Sequence, residues 1–263
     1  MTDSRQSRGS PTDGEPAAAR NAPRPRDAAS LIFYRVVNDE LAVLLGRRAP
    51  ESKFMPDVFV FPGGAVDAGD HKIVPATPLA EDIVPNLGVT RRPARARSLA
   101  IAAVRESCEE SGLMLGRPGS IGAAAAATGI WEQFTDNGLA PDLAALSYLG
   151  RAITPTHRRR RFHARFFTCN ADAHADLAGQ PLRSNGELLD LDWFSYSNLE
   201  TMPLRNVTRY MLDVLQTLIG RSESDRASSA TAKPLQASLR LPTQNIVYTQ
   251  RTGQLRIQNA LGD

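Results

Sequence analysis

The sequence predicts an α/β fold, in which helices lie on both faces of a mixed β-sheet as an α/β/α sandwich. Three observations predict it: a strand-like hairpin near the start, a helix with an apolar approach in the middle, and an amphipathic helix after the last strand-like run. The chain has 263 residues, of which 42% are hydrophobic and 22% charged, an ordinary composition for a globular protein. This length suits one domain with a sizeable core and terminal extensions.

Strand character begins with two apolar runs, 31–37 and 41–45, which the polar residues 38–40 join as a short hairpin turn. Further strands are predicted at 58–61, 152–154, 162–169 and 188–194. The segments 245–248 and 255–257 predict a terminal hairpin that packs either on the domain or on a partner chain, so a homodimer is one of the expected assemblies.

Helical periodicity is clearest after Ser98, which is a candidate N-cap for a helix that runs into the acidic segment at 106–110. Other helices are predicted at 121–127, 130–137 and 203–219. The intervening segment 71–97 carries four prolines and predicts a loop with one short helical turn at 79–84.

The chain divides into three parts. Residues 1–29 lack apolar periodicity and predict a disordered tail, residues 30–220 form the domain, and residues 221–263 form a linker and C-terminal extension. The two cysteines do not suggest a disulfide framework, and no apolar run is long enough to span a membrane. We therefore expect a cytoplasmic protein without a membrane partner.

The segment 105–113 carries the chemistry. Glu106, Glu109 and Glu110 share one helical face, with Arg105 beside them. Carboxylates so close raise one another's pKa unless a cation lies among them, and hard oxygen ligands suit Mg²⁺ or Mn²⁺. A solvated helix face is the alternative interpretation. Upstream, the pair Gly63-Gly64 lets the backbone approach a metal or phosphate closely.

These residues resemble the Nudix box. Gly64 matches its opening glycine, Asp70 stands where the first glutamate belongs, and the second half is matched by Arg105, Glu106, Glu109, Glu110, Gly112 and Leu113. The chain departs from the pattern in three respects. Asp70 replaces glutamate, Ser107 replaces an aliphatic residue, and the insertion 71–104 replaces a much shorter spacer. The resemblance implies the Nudix fold.

The flanking segments 43–48, 54–56, 58–64, 161–167 and 186–193 are similar to the coenzyme A diphosphatase branch, of the type called Nudix motif 19, whose box also contains an insertion. That resemblance implies a metal-dependent diphosphatase that splits coenzyme A or acyl-coenzyme A into 3′,5′-ADP and 4′-phosphopantetheine. The alternatives are an ADP-ribose or NADH-type diphosphatase and a non-catalytic module that senses a nucleotide.

The resemblance implies roles for individual residues. Glu106 and Glu110 are expected to ligate Mg²⁺ or Mn²⁺, Glu109 to ligate it directly or through water, and Arg105 to orient a glutamate. Glu187 is the candidate base, or else a surface residue in a turn; the histidines His157 and His163 are weaker alternatives. Five residues are expected to contact the substrate, and for each the alternative is a purely structural role: Arg47, Arg48, Phe54, Gly63 and Gly64.

Charge adds little to the choice of partner. The net charge is +3, and arginines cluster at 91–97 and 158–161. Such clusters hold a polyanionic substrate or are simply solvated. Nucleic acid is an unlikely partner because no aromatic residues interleave with these runs. The expected partner is a small nucleotide diphosphate.

Overall fold

The structure is a computed structural model that describes residues 23–38, 40–52, 55–89, 92–123, 128–227, 241, 243, 246–251 and 254–258. The strands of the main sheet are β1 (Arg26–Val37), β2 (Glu40–Arg48), β3 (Phe59–Val60), β4 (Gly63–Ala65), β7 (Ser147–Ile153), β8 (Phe162–Asn170), β9 (Leu188–Ser195), β10 (Ile246–Arg251) and β11 (Gln254–Gln258). A small second sheet pairs β5 (Gly116–Pro118) with β6 (Leu139–Pro141).

The helices are α1 (Pro93–Ser111), α2 (Ile130–Asp136), α3 (Ala175–Ala178) and α4 (Asn206–Ala227). Short 3-10 turns lie at Asp70–Lys72, Val84–Leu87, Leu143–Ala145, Ala171–Ala173 and Tyr196–Thr201. Within the described residues no helix is long and apolar enough to cross a membrane.

The main sheet is mixed. Its strands follow the order β11-β10-β7-β8-β1-β2-β3, with β4 paired to β1 and β9 paired to β2. The central strand β1 is parallel to β8 and antiparallel to β2 and β4. This arrangement places the short strand β4, and with it the two glycines, beside the middle of the domain.

Two apolar cores lie on opposite faces of the sheet. Helix α1 covers one face with the buried run Leu99–Val104, and α4 covers the other with Met211, Leu212 and Leu215. Burial of apolar area drives both contacts, at roughly 25 cal/mol per Å². The result is an α/β/α sandwich, as the sequence predicts.

The predicted strands are all present, and the terminal hairpin β10–β11 pairs through β10 with β7 of the same chain. The predicted tail ends too late, because residues 26–29 belong to β1 and pair with β8. Residues 1–22 lie outside the described residues. Helix α4 also continues to Ala227, so the expected linker begins later than residue 221, and residues 228–240 are not described.

The helix boundaries differ from prediction at two places. Helix α1 begins at Pro93, whose missing N–H suits the first helical turn, so Ser98 is not its N-cap but donates to the Ala94 carbonyl inside the helix. The insertion therefore ends at residue 92. Its short turn lies at Val84–Leu87, after the predicted position, and residues 121–123 are not helical, while 124–127 fall outside the described residues.

Candidate active site

The site lies where the last turns of α1 pass beneath strand β4. Strand β4 pairs with β1 so that Gly64 lies opposite Ala29 and Gly63 lies opposite Ser30. Both glycines are thereby held against the centre of the sheet. A Cβ on Gly64 would overlap the carboxylate of Glu106. Only a residue without a side chain allows this close approach, so the glycine pair and the acidic helix face form one unit.

The end of α1 is fixed by Gly112. This residue adopts a left-handed conformation (φ 75°), and its N–H donates to the Cys108 carbonyl at 2.8 Å. Such a glycine C-cap satisfies a terminal carbonyl at no steric cost. Cys108 itself is buried.

Arg105 is buried and holds several oxygen atoms at once. Its Nε donates to Asp70 Oδ1 at 2.8 Å and one Nη donates to the Ala65 carbonyl at 2.9 Å. The other Nη lies 3.0 Å from Glu109 Oε2 and 2.9 Å from Glu106 Oε1. Burial would lower the pKa of Arg105, but the hydrogen bond to Asp70 and the nearby carboxylates raise it. Arg105 therefore stays charged and orients two glutamates.

Asp70 is only 1% exposed. Besides its contacts with the guanidinium of Arg105, the Asp70 carboxylate accepts a hydrogen bond from the Asp67 N–H at 2.7 Å. It thus braces the loop that follows β4 and faces Arg105 instead of the open site. The shorter aspartate reaches Arg105 because the 3-10 turn Asp70–Lys72 packs against α1.

Glu110 points toward the glycine turn. It is 2% exposed, and its Oε2 accepts the Gly63 N–H at 2.7 Å. Burial is the main reason that the pKa of Glu110 rises to about 8; the hydrogen bond from Gly63 opposes the rise, and the charges of Glu106 and Glu187 add to it. Arg48 acts in the opposite direction. Glu187 and Arg48 therefore both lie within electrostatic reach of Glu110.

The other two glutamates are also stabilised in their neutral forms. Burial raises the pKa of Glu106 to about 7 and raises that of Glu109, despite the attraction of Arg105 for both carboxylates. Three carboxylates with raised pKa values next to a single arginine lack positive charge. A divalent cation would supply it, and oxygen-only donors fit Mg²⁺ or Mn²⁺. Among the described side chains, no three acidic, histidine or cysteine groups form a preassembled metal cluster.

The predicted substrate-binding residues fall into different environments. Arg47 donates to Asp190 at 2.6 Å and to Asp57 at 2.9 Å, so it has the acidic partners that were the alternative to substrate contact. Arg48 hydrogen-bonds Ser52 Oγ through Nε at 3.1 Å. Arg47 and Arg48 are consecutive residues of β2, so their side chains point to opposite faces of the strand. Phe54 lies outside the described residues.

The candidate bases are separated. Glu187 is exposed at the start of β9, where its carbonyl accepts the Ala49 N–H at 3.2 Å and its charge reaches Glu110. His157 is exposed in the loop between β7 and β8. His163 lies in β8, where burial and the charges of Arg165 and Arg151 lower its pKa to about 3.

Sequence reasoning missed three contributors to this site: Asp67, the carbonyl of Ala65, and Ser52. Ala65 follows Gly64 directly, and Asp67 stands three residues before Asp70, a spacing that was a usable signal of a turn closed by an aspartate. Ser52 had no comparable signal, because its contact with Arg48 depends on the course of the loop after β2.

Comparison with known proteins adds to this geometry. No protein-family model and no curated protein matches the sequence. Among solved structures, the chain is similar to a NUDIX hydrolase from Alicyclobacillus acidocaldarius, with 26% identity, a TM-score of 0.56, and coverage of 80% of this chain and 99% of the other. The NUDIX domain of Shewanella oneidensis NrtR, in complex with ADP ribose, is 10% identical, with a TM-score of 0.43, over 75% of this chain and 90% of the other.

Proposed function

We propose that this Nudix-type hydrolase, which acts on pyrophosphate bonds, cleaves the diphosphate of coenzyme A or an acyl-coenzyme A. The products would be 3′,5′-ADP and 4′-phosphopantetheine. The observation that carries the proposal is the set of glutamates beneath the Gly63-Gly64 turn, one buried and two half-buried, next to a single braced arginine. The choice of coenzyme A within pyrophosphate substrates is supported by the sequence flanks and by the insertion within the box.

We assign Glu106 and Glu110 as ligands of Mg²⁺ or Mn²⁺, with Glu109 as a further ligand directly or through water. The Gly64 carbonyl is a backbone ligand candidate on the same turn. When bound, the metal would neutralise phosphate oxygens and lower the pKa of a water molecule. The raised pKa values of Glu106 and Glu110 favour this assignment, because each carboxylate gains most from a cation where burial penalises its charge.

The chain's own residues then have separate tasks. Arg105, fixed by Asp70, holds Glu106 and Glu109 in position and does not contact the substrate. Glu187 is exposed yet near Glu110, so it is the side chain that accepts the proton of the attacking water. Arg48 lies on the same side, and its guanidinium binds a phosphate oxygen of the substrate.

The test is hydrolysis of a substrate panel. Purified protein is incubated with Mg²⁺ or Mn²⁺ and with coenzyme A, acetyl-coenzyme A, ADP-ribose or NADH, and the products are separated by chromatography. Glu110→Gln is assayed in parallel, with Glu132→Gln, an exposed glutamate of α2, as the matched control. We expect 3′,5′-ADP from the coenzyme A substrates, lost in Glu110→Gln and retained in Glu132→Gln.

Other results separate the alternatives. Turnover of ADP-ribose or NADH alone would keep the metal site and reject coenzyme A as the substrate. Metal binding without turnover of any diphosphate would favour a non-catalytic sensing module. Equal activity of the two glutamine variants would contradict the assigned metal site.

A further inference from the structure

Two arginines face each other in the sheet, away from the glutamates. Arg151 of β7 and Arg165 of β8 are register partners in an antiparallel pair. Side chains in such positions have Cβ atoms roughly 5 Å apart, and like charges there destabilise the pair. Arg165 is also among the largest fully buried side chains. Arg151 itself is half-buried, and a fully buried arginine that faces it needs negative charge nearby.

The described residues supply one carboxylate for this purpose. Asp27 accepts from Arg165 at 2.6 Å through Oδ1 and from Arg95 at 2.7 Å through Oδ2, so both of its oxygens are engaged. Arg165 Nε donates to the Leu87 carbonyl at 3.1 Å. Arg151 makes no ion pair or hydrogen bond through its side chain within the part of the chain that the structure describes. Its charge is therefore not offset there.

Among the residues that the structure describes, three buried polar atoms in the same region find no hydrogen-bond partner: Tyr148 Oη, Arg151 Nε and His163 Nε2. Tyr148 is 1% exposed, and its hydroxyl interacts electrostatically with Arg151 and Arg165. Buried polar groups in proteins are nearly always paired, and each unpaired one costs about 1–3 kcal/mol. Three of them beside Arg151, whose charge no described carboxylate offsets, indicate a missing shared acceptor.

The end of the insertion packs against Arg151. Its 3-10 turn ends at Gly88 in the left-handed region (φ 66°), and a Cβ there would overlap the guanidinium of Arg151. On another side lies the first turn of α1, where the side chain of Arg95 adds positive charge. Positive charge thus comes from Arg151 and Arg165 of the sheet and from Arg95 of the helix.

We propose that Tyr148, Arg151 and His163, with Arg95 and Arg165 behind them, form a binding site for one small oxyanion of the phosphate class. A phosphate oxygen accepts from several donors at once and pairs with a guanidinium in its fork geometry. A water molecule would satisfy single donors but would leave the Arg151–Arg165 repulsion in place. The site differs from the glutamate site, because Arg95 and Arg105 are separated by ten residues of α1, or roughly 15 Å.

The experiment measures phosphate binding without divalent metal. Isothermal titration and thermal unfolding are recorded with inorganic phosphate in EDTA and gluconate buffer at constant ionic strength, and repeated with glycerol 3-phosphate. We expect saturable binding of inorganic phosphate with a rise in melting temperature. If glycerol 3-phosphate binds as well, the site accepts a phosphate group that is part of a larger molecule. If only inorganic phosphate binds, the site has no room for the rest of an ester. Both results support the proposal.

Variants locate the site. Arg151→Gln is expected to weaken phosphate binding at least about tenfold, and Tyr148→Phe several-fold, since each removes a donor to a charged acceptor. Arg158→Gln, an exposed arginine of the neighbouring loop, is the matched control and is expected to bind as the parent does. If Arg151→Gln does not fold, Tyr148→Phe decides alone. Absence of saturable phosphate binding, unchanged affinity in Tyr148→Phe, or equal loss in Arg158→Gln would overturn the proposal.

Discussion

Arg105 and Asp70, 35 residues apart in sequence, form a buried ion pair. The Nε of Arg105 lies 2.8 Å from Asp70 Oδ1, and one Nη of Arg105 lies 3.3 Å from Asp70 Oδ2. This two-point contact fixes the plane of the guanidinium. The remaining donors of Arg105 then point at Glu106, Glu109 and the Ala65 carbonyl. Although the insertion separates the two halves of the box in sequence, Asp70 of the first half still contacts Arg105 of the second.

Asp70→Asn is expected to destabilise the protein by about 3 kcal/mol, because it leaves a buried arginine without its principal partner. Asp67→Asn is the control, since Asp67 is 65% exposed and 3.9 Å from Arg105, and a change of less than about 0.5 kcal/mol is expected there. Urea unfolding of both variants measures the difference. Equal losses in the two variants would show that Asp70 does not brace the site.

Gly64→Ala is expected to lower kcat/KM on the order of 100-fold, because the added methyl group displaces the Glu106 carboxylate. Gly69→Ala provides the comparison: nothing lies within 4 Å of a Cβ at that position, and its activity is expected to match the parent. Steady-state kinetics on the preferred diphosphate measures both. A fully active Gly64→Ala would mean that Glu106 has no positional role in turnover.

The neighbouring arginines of β2 are expected to respond differently to substitution. Arg48→Gln should raise KM about tenfold through loss of a charged hydrogen bond to phosphate. Arg47→Gln should leave KM near the parent value, because Arg47 is engaged by Asp57 and Asp190 at the surface. Initial rates across substrate concentration test this order. A larger KM effect at Arg47 would reverse the assignment.

Glu187→Gln is expected to lower kcat about 100-fold, as removal of a general base does, while Mg²⁺ affinity stays unchanged. Glu200→Gln, an exposed glutamate in the 3-10 turn Tyr196–Thr201, is the control. Turnover and metal titration are measured on the same preparations. Loss of metal affinity together with turnover would make Glu187 a ligand and not a base.

His163 is expected to make the fold sensitive to acid. Burial and the charges of Arg165, Arg151 and Arg95 lower its pKa from 6.5 to about 3, against the opposing charge of Asp27. The unfolded chain therefore takes up the proton first, and stability falls as pH drops from about 6.5 toward about 3.

The variant His163→Gln should remove part of that loss. The difference in unfolding free energy between pH 7 and pH 4.5, measured in urea, is expected to shrink in His163→Gln. The exposed His157→Gln should keep the parent's difference. The same pH dependence in parent and His163→Gln would exclude a buried neutral imidazole as its source.

Much of the fold could be predicted because its signals are local. Short apolar runs identified β1, β2, β8 and β9, and helical periodicity identified α1 and α4. The boundaries were less accurate. Residues 26–29 look like tail composition, yet they pair with β8 over a buried face, and such pairing is a long-range property that no local window contains.

By itself, the sequence determined that three glutamates and an arginine share one helix face and that two glycines precede them, because helix geometry and glycine's freedom depend only on neighbouring residues. Tertiary structure decided which oxygen each donor meets. Sheet register set Gly63 over Glu110, the 3-10 turn Asp70–Lys72 brought Asp70 to Arg105, and the segments beside β2 placed Asp57 and Asp190 against Arg47. These contacts join distant segments, and only the packing of the two cores brings those segments together.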